Sequence, residues 1–272
     1  MRRIAELSTV NEIREIALAA LQEVSWGAKA ARLAHADPLI PIACEAELYP
    51  GEKSAACIPG RPVLNLVSPA ELRSRSVHTK EGRAVLIHAL AHIEFNAINL
   101  ALDVVWRFSG MPEKFYRDWM GVAREEAEHY RLLAEHLASL GFSYGDFPAH
   151  DGLWEMAERT QADIVARLAL VPRTLEARGL DASPAVRHKL ASGGDRRGAE
   201  IVDLILREEI GHVAIGNYWY RWLCAQRGVD PVAHYEELAL MYRAPKLKGP
   251  FNVQARLAAG FEPEEIAALQ RS

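Results

Sequence analysis

Two Glu-x-x-His motifs, Glu126/His129 and Glu209/His212, are the residues of this chain best placed to do chemistry. At i, i+3 a carboxylate oxygen and an imidazole nitrogen stand side by side on one helical face, within reach of a common ion. Each pair interrupts an apolar stripe. One stripe reads Phe115, Trp119, Val122, Glu126, His129, Leu133, Leu137, Leu140, and the other Val202, Ile205, Glu209, His212, Gly216, Trp219, Leu223. Steps of three and four keep such residues on the inward face of a helix. A third stripe, Ile87, Leu90, Glu94, Ile98, Ala101, Val105, Phe108, carries a single glutamate. Burying an unpaired carboxylate costs several kcal/mol, so these polar residues need partners or a metal.

A glutamate from each of two helices plus Glu-x-x-His from each of two others is a ligand set for two iron or manganese ions. Mixed carboxylate and imidazole ligation suits those metals better than zinc held by thiolates or calcium held by oxygen alone. The expected ligands are Glu94, Glu126, His129, Glu209, His212 and one glutamate from a fourth segment, where Glu155, Glu158 and Glu176 compete. Glu94 and Glu126 lie equally far from the turn at Gly110–Pro112, and Glu176 and Glu209 almost equally far from the turn at Gly193–Asp195, which favours Glu176. Glu158 shares a helical face with Glu176 and replaces it if the chain leaves the bundle at Gly179. Tyr130 adjoins a ligand histidine and is a candidate redox residue. His92 is turned about 200° from Glu94 and reads as a packing residue. Glu125, Glu128 and Glu208 read as solvated or salt-bridged, and Asp203 and Asn217 as candidate outer partners of the imidazoles.

Four long helical segments must position these groups. Segment A spans about Glu81–Ser109 and stops at Gly110, and segment B starts at Pro112 and stops before Gly141. Segment C begins near Asp151 and is interrupted at Gly179, with Ser183-Pro184 able to restart it, which would make it one broken helix bent near the metal by Pro172 and Gly179. Segment D follows an Asp195 N-cap and closes near Gly228. Ahead of them come one helix over Asn11–Trp26 and a Pro-rich irregular arm, which holds Pro38, Pro41, Pro50, Gly51, Pro59, Gly60, Pro62 and Pro69 between Pro38 and Arg75. After them comes a tail with a helix at Pro231–Tyr242, a Gly249-Pro250 break and two short helical pieces ending at Ser272. Arm and tail are too apolar for free linkers and should wrap the bundle. The expectation is one all-α domain over 1–272, a four-helix bundle at 81–228 with an N-terminal helix and arm at 1–80 and a helical tail at 229–272.

The runs His88-Ala-Leu-Ala-His92-Ile-Glu94, Arg124-Glu-Glu-Ala-Glu-His129-Tyr130, Leu175-Glu176-Ala-Arg178 and Arg207-Glu-Glu-Ile-Gly-His212 resemble the ferritin-like di-iron carboxylate superfamily. Within it the sequence is most similar to an uncharacterised bacterial family, domain-of-unknown-function family 455. That likeness extends to Pro59-Gly60-Arg61-Pro62, Arg243-Ala-Pro245 and Gly249-Pro250-Phe251-Asn252. A more distant similarity, mainly in the ligand motifs, is to the tRNA-modifying di-iron hydroxylase MiaE. The resemblance implies a ferritin-like bundle with two iron ions, manganese being the alternative, and oxygen chemistry.

The expected function is an oxygen-activating oxidoreductase, hydroxylase or oxidase, acting on dioxygen and an organic substrate with an electron-donating reductase. The alternatives are a non-enzymatic metal-binding, iron-storage or scaffold protein, and a tRNA-modifying hydroxylase. With 32 Lys and Arg against 36 Asp and Glu, the net charge of −4 disfavours nucleic acid as a partner. No uncharged stretch approaches ~18 residues, which argues against a membrane span. The opening Met1-Arg2-Arg3 and Glu6 fit a secretory signal poorly. Three scattered cysteines point to a reducing compartment, the cytoplasm.

Overall fold

Nearly every predicted helix forms, and the departures are confined to the N-terminal helix and to segment C, which runs on through Gly179 and Pro184. The computed structural model describes residues 12–34, 39–49 and 57–271. Met1–Glu6, Asn11, Pro38, Pro50, Gly51 and Ser272, on which some of the expectations above fall, lie outside these residues. The protein is an all-α helical bundle, and among the described residues the only extended pairing is an isolated bridge between Leu66 and Ala149. The described residues form two compact units, those within 1–62 and 101–124 and those within 63–100 and 125–272.

In the first unit Ile13–Gln22 (α1) and Trp26–Ala34 (α2) replace the single expected helix. Glu23 turns into extended backbone, and Ser25 Oγ then accepts the Ala28 N–H at 3.1 Å to start α2. Lys29, fully buried, reaches back from α2 and donates to Ala20 O at 2.7 Å. Burial lowers its pKa to about 7. This unit also holds the end of helix Lys80–Arg107 (α3) and the start of Glu113–Ser139 (α4). The last carbonyls of a helix lack intrahelical donors. Arg14, 1% exposed, supplies two of them, donating to Val105 O at 3.2 Å and Trp106 O at 2.9 Å. It also donates to Ala43 O at 2.8 Å and so fastens the arm. Tyr116 donates to Phe108 O at 2.9 Å just beyond.

The second unit contains most of α3 and α4, then Gly152–Arg159 (α5), Ile164–Leu170 (α6), a π turn at Val171–Glu176, Ala177–Ser192 (α7) and Arg196–Arg227 (α8). Pro231–Met241 (α9), Val253–Ala258 (α10) and Pro263–Arg271 (α11) form the tail. Segments A, B and D match α3, α4 and α8, with Gly110, Gly141 and Gly228 at positive φ ending them.

Segment C differs from its expectation. It breaks at Thr160–Asp163, not at Gly179, and α7 runs on through both Gly179 and Pro184. Pro184 has no N–H for the carbonyl four residues back. Leu180 O receives the Asn252 side-chain amide instead, at 3.1 Å, and Ser183 Oγ donates to Gly179 O at 2.7 Å. Of the two expected bends only the one at Pro172 forms, where the proline cannot join the α ladder and the chain widens into the π turn. There Thr174 Oγ satisfies Ala169 O at 2.7 Å. α8 comes so close to this turn that a Cβ on Gly216 would lie 2.8 Å from Pro172 Cβ, which only glycine avoids.

The tail packs on α7 and α8 through Ala255, Ala259, Phe261 and Ile266 against Ala177, Leu180 and Val213. In the arm, Val67 N–H donates to Ala149 O at 2.8 Å and Ala149 N–H to Asn65 O at 3.0 Å, yet Val63 is 99% exposed and does not pack as its apolar character suggested. Helix α3 is long and apolar enough to cross a membrane by length and composition, but 72% of its most apolar window is buried within the protein, as in a soluble core helix.

Replacing Arg14 by Ala should strand several buried carbonyls and open a cavity, lowering stability by about 3 kcal/mol. Urea unfolding followed by tryptophan fluorescence measures this, and a change below about 1 kcal/mol would contradict it.

Candidate metal centre

The apolar stripes of α3, α4 and α8 turn Glu94, Glu126, His129, Glu209 and His212 inward, each below 8% exposure. Ligand atoms of Glu94, Glu126, His129 and Glu209 all lie within 4.8 Å of one another. An ion with bonds of about 2.0–2.2 Å spans a little over 4 Å between opposite ligands, so small side-chain movements suffice to close this group around one.

Both imidazoles present Nδ1 to the carboxylates. His129 Nδ1 lies 3.3 Å from Glu94 Oε2 and 3.3 Å from Glu126 Oε2. His212 Nδ1 lies 2.8 Å from Glu126 Oε1 and 3.8 Å from Glu209 Oε1. Glu126 therefore bridges the two histidines, whose rings are 5.7 Å apart. Glu209 Oε2 is buried without a hydrogen-bond partner among the described residues. A carboxylate oxygen left bare beside two other acids and two imidazoles fits a cation site.

The outer nitrogens are also held. His129 Nε2 lies 2.6 Å from Glu208 Oε2, and His212 Nε2 lies 2.7 Å from Glu125 Oε2. Each helix thus supplies an inner glutamate and, one residue earlier, an outer glutamate for the other helix's histidine. The sequence reading of Glu125 and Glu208 as solvated or salt-bridged agrees with their ion pairs and partial exposure but does not single out the histidines as partners, and it names Asp203 and Asn217 for this task. Instead Asp203 pairs with Arg187 at 2.9 Å, and Asn217 accepts from Arg173 at 2.8 Å and donates to Ala259 O. The usable signal is the doubled glutamate: both motifs read Glu-Glu-x-x-His.

Charge explains the pKa pattern. Burial, then the Glu126 charge, raises the Glu94 carboxyl to about 8 against its hydrogen bond with His129. Burial raises Glu176 well above the usual carboxylate range, and Glu209, Glu126 and Glu94 add to this, with His212 opposing. The charges of those glutamates therefore reach Glu176, which is outside the four-residue group. Burial and Glu209 also push Glu126 up, but His212 and the bonds with both imidazoles outweigh them and hold it low. Burial opposes charge on His129, yet bonds with Glu126 and Glu94 lift it to about 11, and His212 is raised on the same balance.

The other candidates lie elsewhere. Glu155 and Glu158 are exposed, and Glu158 accepts from Trp154 Nε1 at 3.1 Å. His92 bonds Tyr144 OH at 2.9 Å and His150 O at 3.0 Å, which fixes the loop after α4. Tyr130 is buried edge-on against Phe95 and Tyr144 at 5.1 and 5.4 Å, and burial raises its hydroxyl to about 12.

Fold and site together define an all-α helical-bundle protein with a buried glutamate–histidine cluster able to hold a metal ion. The chain belongs to the family described as protein of unknown function (DUF455), matched over residues 19–267. It is similar to a protein of Haemophilus influenzae named "Uncharacterized protein", 49% identical over 227 residues that cover 81% of this chain and 78% of that one. No solved structure matches it significantly.

Two outcomes are expected. Replacing Glu209 by Gln removes a buried charge facing Glu126 and Glu176 and turns an amide donor towards them. It should stabilise the metal-free protein by ~1 kcal/mol in urea with chelator present, and a lower midpoint would contradict this. Metal uptake should release protons and strengthen as pH rises from about 6 to 8, because the raised pKa values of Glu94 and the imidazoles mean that protons compete with the cation below them. Equal calorimetric heats in buffers of different protonation enthalpy would exclude it.

Proposed function

We propose that this protein is a ferritin-like di-metal carboxylate protein, holding two iron ions, or manganese in their place, and acting as an oxygen-activating oxidoreductase. The observation that carries this reading is Glu126 shared between two inward Nδ1 atoms, with the bare Glu209 Oε2 beside it. Glu94, Glu126 and His129 would hold one ion, and Glu209, His212 and Glu176 the other, with Glu126 near both. Such a pair, when bound, supplies redox chemistry towards dioxygen.

The chain's own part is to prepare that site. Glu125 and Glu208 fix the rotation of the imidazoles and keep Nδ1 facing inward. In the metal-free protein the raised pKa values of Glu94 and Glu176 favour their neutral forms, which limits the negative charge buried at one point. Phe95, Ile98, Ile205 and Val213, close in sequence to the ligands on the same helices, are buried apolar side chains. Tyr130, buried next to His129, is the candidate for radical chemistry, while an organic substrate and an electron-donating reductase are the implied partners. Three free thiols accord with a cytoplasmic setting.

Protein purified without added metal should contain about two iron or manganese ions per chain, and dithionite reduction followed by oxygen should produce a transient optical band. Glu176→Ala should lose metal and Glu158→Ala should keep it. A single zinc with no uptake of iron or manganese would refute the reading, and iron far above two per chain would mark storage instead.

A further inference from the structure

Segment C supplies Glu176 from an irregular stretch, and the tail grips that stretch on both sides. Three residues before Glu176, Arg173 is 4% exposed and forms a close ion pair with Glu265 of α11. Its Nε donates to Asn217 Oδ1 of α8 at 2.8 Å, and the guanidinium stands 4.8, 4.9 and 5.2 Å from the rings of Tyr220, Tyr235 and Phe261. Glu265 is itself held by Arg221 at 2.6 Å and by the Glu262 N–H at 2.8 Å.

After Glu176 the exchange runs the other way. Arg256 of α10, fully buried, donates to both oxygens of Asp181 on α7, at 3.0 and 2.6 Å, and to Ala177 O at 3.5 Å. The Asn252 N–H adds a third bond to Asp181 at 2.9 Å. Phe261 lies between the two guanidinium groups, 5.2 Å from Arg173 and 5.0 Å from Arg256. Segment C thus lends an arginine to a tail carboxylate, and the tail lends an arginine to a segment C carboxylate.

The position of this clasp matters because of the π turn. A π turn carries one residue more than an α turn, and relaxing it to regular helix would rotate α7 by ~100° relative to α6. Such a slip would swing Glu176 away from Glu126 and Glu209. Arg173 holds the turn before Glu176, and Asp181 with Ala177 O holds the helix after it. Buried ion pairs are a poor source of net stability but a good means of selecting one register.

We infer that the tail is part of the metal site: the reciprocal Arg173–Glu265 and Arg256–Asp181 pairs lock the π turn in register, and Arg173 and Glu265 are positioning residues for Glu176. This rests on the metal reading above, with Glu176 as the segment C ligand.

The test is Co(II) titration of the full-length, chelator-stripped protein, read by stoichiometry, affinity and visible spectrum. Wild type should bind two ions. Glu265→Gln should weaken one ion roughly 10–100-fold, with the same spectral change as Glu176→Ala and an unchanged helical circular dichroism signal. The double variant Glu176→Ala/Glu265→Gln should bind no more weakly than Glu176→Ala alone, because both act through one ligand. A merely destabilising change would not show that non-additivity. If Glu265→Gln fails to fold, Arg173→Lys serves, since it keeps the charge and loses the planar fork. Two ions bound as tightly in the variant as in wild type, or losses that add, would overturn the clasp alone. A wild type that binds no ion would overturn the metal reading and the clasp together.

Discussion

Like charges buried together are the constraint on which this protein is organised. Glu94, Glu126 and Glu209 are each below 8% exposure with ligand atoms a few ångströms apart, and their charges also act on Glu176. Water cannot screen them there, so the metal-free chain must neutralise them internally. It does so with two imidazoles sharing Glu126 and with the Glu94 and Glu176 carboxyls raised, which favours their neutral forms. A divalent ion held there would do the same work, and its binding would then be coupled to the fold.

The doubled glutamates show how a helix can answer two demands from adjacent positions. Neighbouring residues project about 100° apart, so Glu126 faces the cluster while Glu125 reaches around to the far nitrogen of His212. Glu209 and Glu208 repeat the arrangement towards His129. The outer pair stays partly in solvent, with Glu125 and Glu208 side chains 56% and 38% exposed. Negative charge next to an imidazole is therefore kept without adding to the crowded interior.

Buried arginines hold the irregular parts of the chain. Arg14 gathers carbonyls from the end of α3 and from the arm, and Arg173 and Arg256 tie the π turn and α7 to the tail. In each case a planar fork satisfies groups that no regular helix can satisfy itself. Segments without such a fastening, such as the stretch at Val63, remain in solvent despite their apolar side chains.

Periodicity of apolar residues was enough to place α3, α4 and α8 and to single out Glu94, Glu126, His129, Glu209 and His212 as inward polar residues, because burial of one helical face is a local property of spacing. Capping signals at Asp195, Gly110, Gly141 and Gly228 were equally local, and the chain obeys them. Gly179 and Pro184 were misleading. Whether such residues end a helix depends on whether a distant group takes over the stranded carbonyl, and Asn252, far along the chain, does so for Leu180. The outer roles of Glu125 and Glu208 belong to the same class, because His212 and His129 reach them from the facing helix. Each depends on which side chain from another element arrives within hydrogen-bond distance, and only the tertiary structure decides that.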